Sequence, residues 1–276
     1  MKFKRDCKSF PENYACEIMT AEGYQDCEEC NFYEPIGKKI LIIKLGALGD
    51  VIRTIPILQG LKKKYPESQI TWIIAEGEGK DILKNNKNID KILEYSQETL
   101  LKLKYEKFDL LINFDISTKA LIASNTANAK EKLGFYLEED GHPQAFKESA
   151  KYYLNRVFSN YANLANRKSY QEMMFEIAEL IYNKEEIILN NVDESYADNF
   201  IKKHNISKQD KIACINLGSG GRWPSKGWHQ DKIIELIKKL KKENYKVLLR
   251  GGPEEEQLLA QVLTRLTKGL LVLKGK

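Results

Sequence analysis

The feature that most constrains this chain is a run of four aliphatic residues, Ile40-Leu41-Ile42-Ile43, that passes directly into a glycine loop and then a helix-forming stretch. A short continuous apolar run marks a strand buried on both faces, and such strands belong to parallel sheets covered by helices on either side. The helix that follows spans about residues 51–65, with Ile52, Ile55, Leu58 and Leu61 at helical spacing. Residues 70–75 repeat the apolar strand, 91–95 form a shorter one and 108–114 another, before a helix over 119–129 and a strand over 132–136. This alternation predicts βαβ units and a parallel sheet.

Helices are expected over 150–165 and again from Ser169, where Ser169 and Glu172 form a capping box. Met173, Met174, Ile177, Leu180 and Ile181 make the apolar face of that second helix and read as core. After Asn183 the alternation restarts. Asp193 is placed as the N-cap of a helix, followed by a strand over 211–217, a helix over 229–242, a strand over 245–249, a helix over 254–266 and a strand over 270–273. The expected organisation is an N-terminal arm (1–37), a first Rossmann-like domain (38–183) and a second (184–276). At about 30 residues per βαβ step, the second holds about three strands where the first has at least five, so it reads as incomplete.

Composition narrows the class. Hydrophobic residues make up 42% and charged residues 30%, a globular balance. No apolar run approaches the ~20 residues of a membrane span. The N-terminus is charged and has no apolar export segment, so a cytoplasmic location is expected. A net charge of +5 suits phosphate-bearing ligands or an anionic membrane surface without requiring nucleic acid. Lys62-Lys63-Lys64 and the lysines of 238–242 read as solvated helix faces, His142 reads as a loop residue, and His204 and His229 show no metal-ligand spacing.

Four of the five cysteines lie in the arm: Cys7, Cys16, Cys27 and Cys30. Four thiols can hold one tetrahedral zinc ion or an iron–sulfur centre, and the Cys27-Glu28-Glu29-Cys30 pair lets two sulfurs face one ion. The other reading is four reduced thiols on an arm packed against the main body. The fifth, Cys214, reads as a small core residue of strand 211–217.

Ligands bind outside the carboxyl ends of strands in open parallel sheets, and three loops there carry chemistry. In Lys44-Leu45-Gly46-Ala47-Leu48-Gly49-Asp50, Gly46 and Gly49 let the backbone approach a ligand closely, and Asp50 stands at a helix start. Asp50 reads either as a general base or as a simple N-cap. No Gly-Lys-Ser/Thr follows, so this is not a nucleotide P-loop. Gly218-Ser219-Gly220-Gly221-Arg222-Trp223-Pro224-Ser225-Lys226 can form an anion-binding nest, with Arg222 and Lys226 supplying charge. In the third, Gly251 and Gly252 precede Glu254, which can accept bonds from ribose hydroxyls, whereas Glu255 and Glu256 complement a helix N-terminus.

These three loops, in this order, resemble the motifs of glycosyltransferase family 9, the ADP-heptose:lipopolysaccharide heptosyltransferases. The first is 44–56, the second 218–224 with Lys226 and Trp228, and the third 249–255. The resemblance implies a GT-B architecture, with two Rossmann-like domains facing a cleft. It implies inverting transfer from a nucleotide-activated heptose without a metal or other catalytic cofactor. Asp50 matches the catalytic aspartate. Gly46, Gly49, Gly218, Ser219, Gly220, Gly221, Arg222, Lys226, Gly251, Gly252 and Glu254 match the donor- and phosphate-binding positions. Implied partners are ADP-heptose and a lipid A–core or other glycan acceptor, with peripheral contact at the inner face of the cytoplasmic membrane. Two departures stand out: Gly221 replaces a lysine common in relatives, and no residue after Lys276 supplies the family's His-containing motif. The alternatives are heptosylation of a protein acceptor, or a non-catalytic nucleotide-sugar- or partner-binding protein.

Overall fold

A computed structural model describes residues 2–11, 13–77, 79–187, 191–218, 227–266 and 270–274. It divides into two compact units, 1–190 and 191–276. In the first unit, strands β1 (Lys39–Ile43), β2 (Gln69–Ile74), β3 (Lys91–Glu94), β4 (Lys107–Asn113), β5 (Asn128–Leu137) and β6 (Pro143–Ala145) form one sheet in the order β3-β2-β1-β4-β5-β6. The pairings among β1–β5 are parallel and β6 runs antiparallel at the edge. Ile40, Leu41, Ile42 and Ile43 are all fully buried, as the apolar run predicts. Alternation splits them: Ile40 and Ile42 join the core on one face, Leu41 and Ile43 the core on the other. Each such side chain contributes ~1.5–3 kcal/mol of burial. β1 therefore sits where strand order reverses, and the crevice at its carboxyl end is the natural ligand position.

Two expected helices are each broken in two. The helix after β1 runs as Leu48–Thr54 and Ile57–Lys64. Pro56 has no N–H to continue the ladder, so Ile55 makes the last such bonds, to Val51 and Ile52. The 150–165 stretch runs as Glu148–Phe158 and Asn160–Ala165, interrupted at Ser159, whose hydroxyl accepts from the Ala162 amide. Ser169 and Glu172 do form the capping box, opening the helix Tyr170–Ile177. Gly60 lets that helix pack closely, since a Cβ there would meet Phe175 Cε1 at 2.8 Å. The helix Gln97–Tyr105 and strand β6 were not expected from the sequence, as neither carries a strong apolar period.

The second unit carries β7 (Lys211–Asn216), β8 (Tyr245–Gly251) and β9 (Leu270–Lys274), parallel in that order. The helix Asn191–Lys203 precedes them, and Gln230–Lys242 and Glu256–Thr264 connect them. One face packs Ile215, Val247, Leu249, Ile233, Ile237 and Val262 into a core. Cys214 is exposed, which corrects its reading as a core residue. β7 is an edge strand, and Cys214 and Ile212 point away from the packed face, leaving Ile212 46% exposed.

The arm holds one short helix, Glu17–Glu22, ended by Gly23 in the left-handed region at φ 74°. Its two ends pair through a bridge between Cys7 and Pro35, with the Lys8 amide donating to Glu34 and the Ile36 amide to Asp6. Lys8 also pairs with Glu67, tying the arm to the loop before β2.

Candidate functional site

The loop leaving β1 opens the crevice. The N-cap position of the helix Leu48–Thr54 is Ala47, which offers no side-chain cap, so Asp50 is not an N-cap. It sits in the first helical turn with its side chain one-third exposed, and Oδ1 accepts from Arg53 Nη2. Arg53 lies over the ring of Tyr170 at 4.0 Å. Tyr170 Oη is 3.3 Å from Thr54 Oγ1, and Thr54 donates to the Asp50 carbonyl at 2.7 Å. Burial pushes the Tyr170 phenol well up, with Thr54 working weakly against it. Burial also raises Tyr153, whose field includes both Asp50 and Asp115. Neither phenol ionises near neutral pH, so the charges at this wall are those of Asp50, Arg53 and Arg156, the last lying over the Tyr153 ring at 5.0 Å. A hydroxyl approaching from solvent can reach the Asp50 carboxylate.

Beneath the loop lies a buried pair that sequence reasoning missed. Lys44 and Asp115 are 4% and 8% exposed, with Nζ 3.3 Å from Oδ2. Asp115 Oδ2 also accepts from the amides of Leu45 at 3.2 Å and Gly46 at 3.4 Å, and Oδ1 from the amide of Ser117 at 2.9 Å. Burial alone would raise this carboxyl, but the Lys44 charge and the amides of Ser117 and Gly46 outweigh it and hold it below the usual carboxylate range. A cavity of about 310 Å³ opens beside the pair, lined by Gly46, Glu76, Tyr95, Asp115, Ser117 and Lys119 among others. The only sequence signal is a charge placed directly at the end of each apolar strand, Lys44 after β1 and Asp115 after β4.

In the second unit the structure brings two of the glycine loops together through Glu255. Its Oε2 accepts from the Gly252 amide at 2.8 Å. A Cβ on Gly218 would lie 2.3 Å from its Oε1, and one on Gly251 2.8 Å from its Cβ. Gly218 and Gly251 thus admit the Glu255 side chain. Glu254 is exposed in the short turn Pro253–Glu255. Ser219, Gly220, Gly221, Arg222 and Lys226 lie outside the described residues. Gly49 meets open space, as does Gly46.

Cys7, Cys16, Cys27 and Cys30 line one small cavity of about 20 Å³, together with Phe10 and Met19. No disulfide links them. The Cys27 sulfur lies 3.9 Å from Met19 Sδ, and Cys16 donates to the Ser9 carbonyl at 3.8 Å. Among the described residues no group of three or more His, Cys, Asp or Glu is arranged to hold a metal ion, so the expected metal site is not assembled. No described helix is long and apolar enough to cross a membrane.

A sheet ordered 3-2-1-4-5 with its glycine loop at the reversal point, followed by a second parallel unit, defines the class: an α/β protein built of Rossmann-like units. The solved structure of a family 9 glycosyltransferase from Veillonella parvula matches at TM-score 0.64 and 22% identity, covering 87% of this chain and 70% of that one. That likeness speaks to fold alone. The model of glycosyltransferase family 9 (heptosyltransferase) matches residues 99–274. The chain belongs to that family. It is 32% identical over 106 residues to the lipopolysaccharide core heptosyltransferase OpsX of Haemophilus influenzae, covering 36% of this chain and 30% of that protein. It is 26% identical over 243 residues to lipopolysaccharide heptosyltransferase 1 of Campylobacter coli, covering 83% of this chain and 68% of that protein. The chain thus spans about a third and about two-thirds of the length of these relatives.

Proposed function

We propose that the protein transfers a heptose from ADP-heptose to a hydroxyl of a lipopolysaccharide core or related surface glycan, with inversion and without a metal. The observation that carries this is the placement of Asp50: a solvent-reachable carboxylate in the first turn of the helix that leaves the glycine loop, at the carboxyl end of the strand where sheet order reverses. Asp50 takes the proton of the acceptor hydroxyl as its oxygen attacks the anomeric carbon. The bond from that carbon to the donor phosphate breaks, and the nucleoside diphosphate leaves with the electron pair. A single displacement from the opposite face inverts the centre. Gly218, Ser219, Gly220, Gly221, Arg222 and Lys226 would hold the leaving diphosphate and its growing charge. Gly251, Gly252 and Glu254 would line the nucleoside, and Gly46 and Gly49 would leave room for the donor sugar. An acceptor of this class would bring the enzyme to the inner face of the cytoplasmic membrane as a peripheral protein.

The test is Asp50→Asn in an assay with ADP-heptose and a lipid A–core acceptor. A general base contributes ~10²–10⁴-fold, so turnover should fall by that order while donor binding persists. Unchanged turnover removes Asp50 from the chemistry.

For the arm we infer a structural zinc ion. Its support is the donor set, four thiols lining one cavity. Metal analysis of the purified protein should find about one zinc per chain. Its absence from well-folded protein overturns the assignment.

A further inference from the structure

Lysine and aspartate are almost never fully buried unless they are paired, and a well-packed apolar pair would serve stability as well or better. The buried Lys44–Asp115 pair therefore calls for a role other than stability. What Asp115 touches supplies one. Its Oδ2 is met by three consecutive residues of the chain leaving β1: the Lys44 ammonium at 3.3 Å, the Leu45 amide at 3.2 Å and the Gly46 amide at 3.4 Å. The carboxylate is a form around which this loop is bent.

The form is itself held. The Asp115 amide donates to Asn113 Oδ1 at 3.0 Å, and Asn113 Nδ2 donates to the Phe135 carbonyl at 2.8 Å in β5. On the other side, Trp72 Nε1 in β2 donates to the Lys44 carbonyl at 3.4 Å. Trp72 of β2 thus meets Lys44 directly, while Asn113 of β4, itself bonded to β5, holds the backbone of Asp115. The chain then enters the helix, where the Asp50 amide donates to the Ala47 carbonyl at 2.7 Å. Gly46 has no side chain to fix it by packing, and open space surrounds its Cβ position. The strand ladder, the Trp72 bond and the buried Leu45 side chain also anchor this segment, but Asp115 is the acceptor that the Leu45 and Gly46 amides share.

We infer that Asp115, neutralised by Lys44, is a positioning residue that fixes the 44–46 loop and through it the place of the Asp50 carboxylate. The inference rests on the assignment of Asp50 as the base. It is the accepting oxygen that positions the loop, while Lys44 makes a charged acceptor tolerable in the core. Displacing a reacting group by about 1 Å costs on the order of 10²-fold in rate.

Two double variants separate these parts. In Lys44→Met/Asp115→Leu no charge is left unpaired, so the fold should persist, but the loop amides lose their acceptor. In Lys44→Met/Asp115→Asn the side-chain carbonyl still accepts from the Leu45 and Gly46 amides. Both should melt near the wild-type temperature. The Leu variant should lose ~10²-fold in kcat, with calorimetric ADP binding unchanged. The Asn variant should recover most of that loss. If the two folded variants turn over alike, whether both at the wild-type rate or both equally impaired, the positioning role is wrong. Asp50→Asn in the same assay separates the two ideas. An active Asp50→Asn protein overturns the base assignment, and the inference built on it. An inactive Asp50→Asn protein beside a fully active Leu variant overturns the positioning role alone.

Discussion

At the scale of single residues, the site joins an exposed carboxylate to a buried one. Arg53 holds Asp50 and rests on Tyr170, yet the pair is half-exposed, and exposed i,i+3 pairs are worth well under ~1 kcal/mol. Arg53→Ala should therefore cost less than ~1 kcal/mol in denaturant unfolding. It should reduce kcat by roughly tenfold, because Asp50 loses the contact that selects its rotamer. Asp115 gives a pH signature. Its folded-state carboxyl is held below the unfolded value of about 3.9. Its contribution is therefore fully present above about pH 4 and is lost as pH falls through the lower folded value. The Lys44→Met/Asp115→Asn protein should show a shallower loss of stability below about pH 4 than the wild type, measured by melting across acid buffers. Asp50 was legible in the sequence because its neighbours in the chain form the motif. Asp115 was not, because its partner Lys44 is 71 residues away and only the sheet brings them together.

At the scale of elements, the strands read well and the helix boundaries less so. Apolar runs such as Ile40–Ile43 carry their own signal, since both faces are buried. The break at Pro56 follows from a missing N–H and was visible in the chain, whereas the break at Ser159 depended on a cap that competes with helix continuation. Gly134 exposes a constraint of register. It has φ 86°, and a Cβ would lie 1.8 Å from the Asn113 carbonyl of the paired strand. Gly134→Ala should destabilise the first unit by more than ~2 kcal/mol, adding overpacking to left-handed strain, as read from the denaturant midpoint. Cys214 tests the opposite case. On an exposed edge strand, Cys214→Ser should change stability by less than ~0.5 kcal/mol, and the native thiol should react readily with a labelling reagent. A core thiol would do neither.

At the scale of the whole molecule, the proposed base, Asp50, and the proposed diphosphate contacts, 218–226, lie in different stretches of the chain. Donor affinity and turnover should therefore separate by mutation. Arg222→Ala should weaken ADP binding by roughly tenfold or more, the loss expected for a hydrogen bond to a charged group. Asp50→Asn should leave that binding unchanged. Calorimetry on both variants checks the division, and equal losses in the two would overturn it.

The sequence alone determined the α/β class, the positions of most strands along the chain and the family, because hydrophobic period and glycine motifs are local properties of the chain. It also marked Asp50, which lies within such a motif. Tertiary structure decided what depends on partners remote in sequence. It placed Cys214 on an open edge, matched Gly218 and Gly251 to the Glu255 side chain, gathered four thiols around one cavity without forming a metal shell, and buried Lys44 against Asp115. The reason is common to all four: period and propensity report which face of an element is buried. The groups that meet there are set by sheet order and register, which no single segment encodes.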